Sequence, residues 1–143
     1  MLNRLLLAVA LLLNGAAAWA DPAIYRRCEI QHESTLSFPS GESETMSDQF
    51  DVVYKIDLMG LRVLPSTSET WWPMDVSGRV LKITVPDLGT PDAYTSKLSL
   101  ELEPPGRLLS TGGGKLRGGA IHWFFQGQCV EVGASVFEEA ANP

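Results

Sequence analysis

With 143 residues, 17 Asp and Glu and 11 Lys and Arg, the chain carries a formal charge of −6. That length supports one hydrophobic core and is short for two. The acidic balance, with no basic run in the chain, repels nucleic acid and anionic lipid surfaces at long range, so nucleic-acid binding is set aside.

In chain order, the first element is an export segment. Arg4 gives a short positive start, and residues 5–13 are the apolar run Leu-Leu-Leu-Ala-Val-Ala-Leu-Leu-Leu. Asn14 and Gly15 weaken a helix, and Ala18-Trp19-Ala20 fits the A-x-A cleavage pattern. A membrane-spanning helix needs ~20 apolar residues, about twice this run. Residues 1–20 therefore read as a cleaved signal peptide. Residues 21–143 read as a single mature domain of formal charge −7 with no transmembrane anchor. No Cys stands at the cleavage point, which argues against a lipid anchor. The expected location is the periplasm or the secreted fraction.

The mature chain is dominated by period-two alternation. Cys28 and Ile30 share a face, with Glu29 and Gln31 opposing. Residues 40–49, Ser-Gly-Glu-Ser-Glu-Thr-Met-Ser-Asp-Gln, read as a solvated loop. Next, Phe50, Val52, Tyr54, Ile56 and Leu58 alternate with the charged Asp51, Lys55 and Asp57, the pattern of a half-buried strand. Leu81, Ile83 and Val85 repeat it, as do Leu98, Leu100 and Leu102, and then Ile121, Trp123 and Phe125. Turn chemistry punctuates these runs at Pro39-Ser40-Gly41, Met59-Gly60, Ser77-Gly78, Pro86-Asp87-Leu88-Gly89, Pro104-Pro105-Gly106 and Gly112-Gly113-Gly114. The Pro104-Pro105-Gly106 turn is expected to join a strand over 97–103 to one near 107–111. Val136 to Ala141 can add one short helical turn at the end. Strand-length runs spaced roughly every 8–15 residues predict an all-β domain: a small antiparallel barrel, or sandwich, of about seven to eight strands.

The two cysteines, Cys28 and Cys129, lie near the two ends of the β pattern. Export carries them into an oxidising compartment, where they are expected to form a disulfide. A redox pair would be spaced C-x-x-C, and these are far apart. The bridge would close a loop of roughly 100 residues, for which the chain-entropy model gives ~4.7 kcal/mol. If the strands holding the two cysteines are neighbours, it pins the closing seam of a barrel.

Other chemistry is thin. Gly112-Gly113-Gly114-Lys115 lacks the G-x-x-x-x-G-K-[ST] frame of a phosphate loop and reads as a glycine-rich turn. His32 and His122 are the histidines available to a Ser-His-Asp hydrolase, and no G-x-S-x-G element accompanies them. Met46, Met59, Met74, His32 and His122 are the soft metal ligands, and none cluster at ligand spacing. No catalytic residue, metal site or cofactor is assigned. Trp71-Trp72-Pro73 stands out. Adjacent strand residues point to opposite faces, so one Trp can fill the core while the other is exposed. Trp71, Trp72 and Trp123 are the candidate ligand or partner contacts, against the alternative that they cover a barrel end.

Around Cys28, Phe125-Gln126-Gly127-Gln128-Cys129 and the stretch 98–111, the chain resembles small uncharacterised exported proteins of Gram-negative bacteria. These carry one Cys soon after the signal, alternating strands, and a last strand ending G-x-C. Where they have Asp-Arg-x-Thr-Gly, this chain has Glu101-Leu102-Glu103-Pro104-Pro105-Gly106-Arg107. The resemblance implies a compact β-barrel with a structural disulfide, and no activity. The expected function is a non-enzymatic binding or interaction module, whose partner is an unknown small apolar molecule or an envelope protein. The rivals are an envelope structural or assembly factor and a small hydrolase using carboxylates. An apolar pocket with a few polar groups favours binding; converging carboxylates favour a hydrolase; a broad apolar patch favours assembly.

Overall fold

The computed structural model describes residues 23–86, 94–95 and 97–143. The expected signal peptide lies outside the described residues, as does the Asp87-Leu88-Gly89 part of one expected turn. The elements are β1 (Ile24–Ser37), β2 (Ser43–Asp57), β3 (Arg62–Pro65), β4 (Trp72–Ser77), β5 (Val80–Ile83), β6 (Tyr94–Thr95), β7 (Leu98–Glu101), β8 (Gly106–Leu116), β9 (Gly119–Glu131) and α1 (Ala134–Ala141). All pairings are antiparallel, and β9 pairs with both β8 and β1, which closes the sheet into a ring. β6 and β7 share one position in that ring. Tyr94 and Thr95 pair with Gly113 and Gly112, and Ser99 and Leu100 pair with Leu109 and Leu108, along one edge of β8. The nine strands thus fill eight places of an antiparallel barrel, as the alternation predicted.

Alternation sets what faces inward. On β1, Cys28 and Ile30 are buried while Arg27, Glu29 and Gln31 are exposed. Phe50, Val52, Tyr54 and Ile56 face in from β2. Leu58 falls beyond the end of β2 and is exposed instead of continuing the stripe, because the chain turns there. In that turn Asp57 accepts the Gly60 N–H at 2.8 Å and the Arg62 Nε–H at 2.9 Å. These hydrogen bonds hold the Asp57 carboxyl below its ordinary range. The core comprises Cys28, Ile56, Val63, Leu81, Ile83, Leu100, Leu108 and Cys129, with almost no exposure. Each fully buried Leu or Ile contributes roughly 1.5–3 kcal/mol. Cys28 faces Cys129 in register across β1 and β9, and the two are disulfide-bonded over 101 residues. The bridge therefore joins the first strand to the last at the closing seam. Helix α1 packs outside on β1 and β2, with the Phe137 ring 5.9 Å from Tyr25.

Two expectations are corrected. Residues 43–49, read as part of a loop, form the first half of β2 and pair with residues 31–37 of β1. They are exposed along their whole length, so the polar composition reflects solvation while the backbone is still a strand. Gly112-Gly113-Gly114, read as a turn, lies inside β8 opposite Trp123, His122 and Ile121. The missing side chains leave room beside a large ring, a pairing in which glycine strands are stabilised by an aromatic neighbour. The turn itself comes later, with Arg117 and Gly118 at positive φ.

Candidate functional site

Strand lengths create the site. β1, β2, β8 and β9 have 14, 15, 11 and 13 residues, whereas β3, β5 and β7 have four each and β4 six. The long strands therefore run on past the short ones, and their inner faces continue beyond the packed core. Register fixes the inward rows on this extension. Above Cys28 and Cys129 comes Phe50–Ile30–Gly127–Leu108, then Asp48–His32–Phe125–Ser110, then Met46–Ser34–Trp123–Gly112. The two upper rows each set a ring beside a small residue, Phe125 beside Ser110 and Trp123 between Ser34 and Gly112. Space that a filled eight-stranded barrel would give to side chains is left open.

The result is a cavity of about 460 Å³. Its lining runs from the buried Ile30, Val52, Tyr54, Pro65 and Leu108 to Thr67 and Met46, which is 60 % accessible. Phe50, Trp72, Trp123 and Phe125 supply aromatic wall. The Phe125 ring stacks on His32 at 4.4 Å and 10°, and Phe50 meets it edge-on at 6.3 Å. Edge-on and offset contacts of this kind fix ring positions beyond what area burial provides. Tyr54 also reaches the lining, and its burial pushes the phenol well above its ordinary pKa. Polar atoms come from His32, Ser34, Ser110 and Thr67. No Asp, Glu, Lys or Arg lines the cavity among the described residues.

The three sequence candidates separate. Trp72 and Trp123, distant in sequence, both line the cavity. Trp71 does not; its ring lies under the Arg62 guanidinium at 4.2 Å, with Lys55 Nζ at 6.0 Å. Sequence reasoning did not select Phe50, Phe125, His32 or Ser34 as site residues. Their signal was parity: His32 and Ser34 follow Cys28 and Ile30 on the inward face. Two other depressions, of about 590 and 390 Å³, lie on the outer face of the sheet and are walled mainly by polar side chains such as Gln31, Gln126 and Gln128. Among the described residues no group of three or more His, Cys, Asp or Glu could hold a metal ion, and no helix is long and apolar enough to cross a membrane.

Fold and cavity together define a closed antiparallel barrel with an open, aromatic-lined end. No protein-family model matches the chain, and no curated protein or solved structure is significantly similar to it.

Proposed function

We propose that the protein is a non-enzymatic module, exported to the periplasm or secreted, that takes a small apolar molecule into the mouth of its barrel. The supporting observation is the cavity of about 460 Å³. Small-molecule sites are typically ~300–1,000 Å³, concave and mostly apolar with a few placed polar groups, and this lining has that composition. At roughly 30 Å³ per group, the share of one water in the liquid, it holds on the order of 15 non-hydrogen atoms. The export reading rests on the signal-like residues 1–20 and on a buried disulfide compatible with an oxidising compartment. With no carboxylate among the described residues of the wall, binding is better supported than carboxylate hydrolysis.

Titrating the purified mature chain with the neutral dye N-phenyl-1-naphthylamine tests this. Saturable binding with dye fluorescence enhancement is expected; absence of saturable binding contradicts it. A second reading, an envelope contact, draws on Leu58, Met59 and Leu61, exposed together at the β2–β3 turn, with Met59 at 86 %.

A further inference from the structure

Resting on the binding reading above, we infer that the cavity selects uncharged ligands and accepts one hydrogen-bonding group, a hydroxyl or carbonyl, at a polar belt around Phe125. The chain as a whole is 20 % charged, yet the lining has no ionic side chain among the described residues. Asp48, which pairs with His32, is exposed and does not line the cavity, so an anion or cation brought inside finds no counter-charge on the described lining, and an unpaired buried charge is strongly penalised. The buried arginine does not supply one. Arg26, 7 % exposed, is not on the wall, and its Nη1 and Nη2 donate to the carbonyls of Tyr25 and Leu102 at 3.0 and 3.2 Å.

The belt follows from register. His32 and Ser110 flank Phe125 in one inward row, and Ser34 stands next to His32 along β1 in the row above. Ser34 and Ser110 are each 4 % exposed and line the cavity. A serine hydroxyl can both donate and accept, and the imidazole ring nitrogens add further hydrogen-bonding positions. Below the belt the lining is largely apolar, with Ile30, Phe50, Val52, Leu108 and the ring of Tyr54; above it stand Met46, Trp123 and Ile121. A matching ligand is apolar at both ends and carries its single polar atom between them or on one edge.

Equilibrium dialysis of the mature protein at pH 7 against four probes of one ring system tests this: naphthalene, 2-naphthol, 2-naphthoate and 2-naphthylmethylammonium. The expected order is 2-naphthol tightest, naphthalene next, and both ions at least tenfold weaker than 2-naphthol. Ser34→Ala is expected to reduce the preference for 2-naphthol over naphthalene severalfold. Either ion binding as tightly as 2-naphthol overturns the selection for neutral ligands. Cation binding alone would indicate an aromatic cage for ammonium groups. Equal affinity of 2-naphthol and naphthalene overturns the belt. If none of the four binds, the binding reading itself falls, and this inference with it.

Discussion

Tyr54 sits almost wholly buried between packed core and cavity, and desolvation raises its phenol pKa. The unfolded value is near 10, so the neutral phenol is the form the fold favours. Its contribution is fully present below about pH 10 and is lost as pH rises through the folded value. The thermal midpoint of the protein is therefore expected to fall more steeply above pH 10 than that of Tyr54→Phe, as followed by circular dichroism. The tryptophans divide in the same local terms. Trp71→Ala removes a ring stacked under Arg62 outside the barrel and is expected to leave dye affinity unchanged. Trp72→Ala and Trp123→Ala each remove cavity wall and are expected to weaken dye binding about five- to tenfold in fluorescence titration, equivalent to ~1–1.4 kcal/mol.

At the scale of elements, β1 and β9 approach closely at Gly127, where an added Cβ would sit 2.5 Å from the Glu29 carbonyl oxygen. Because the obstacle is backbone, the strands must part. Gly127→Ala is expected to destabilise the fold by roughly 1–3 kcal/mol, the usual range for overpacking, measured by urea denaturation. The strands most legible in the sequence were those with one wet and one dry face. Leu98, Leu100, Ile121 and Trp123 betray their strands because alternation is imposed by a buried side. Residues 43–49 betray nothing, since both faces of that half of β2 meet solvent and only pairing with β1 makes it a strand. The glycines of β8 were illegible for a related reason: a residue without a side chain carries no alternation, and its role depends on Trp123, which faces Gly112 from the neighbouring strand β9. Alternation puts Phe50 and Phe125 inward, and the same parity, carried on from Cys28 and Ile30, puts His32 and Ser34 there in the structure. That they line open space and not a filled core depends on β3, β5 and β7 being short, a difference no single strand reports.

For the molecule as a whole, the Cys28–Cys129 bridge ties the two ends of the β pattern and makes ring closure covalent. Replacing both cysteines with Ala is expected to lower stability by about 2–5 kcal/mol, the usual loss on removing a native disulfide from a small domain, seen as a lower urea midpoint. The barrel then divides its labour. The end where all eight positions are occupied carries the core, and the end where four long strands continue carries the cavity. Calorimetric titration with N-phenyl-1-naphthylamine, on the wild type and on Ser34→Phe, which places a ring in the cavity, tests that division most directly. One dye per chain, a negative heat-capacity change from apolar burial, and loss of binding in a Ser34→Phe variant that still folds are predicted. Dye binding that persists undiminished in folded Ser34→Phe, or no binding to the wild type, would contradict it.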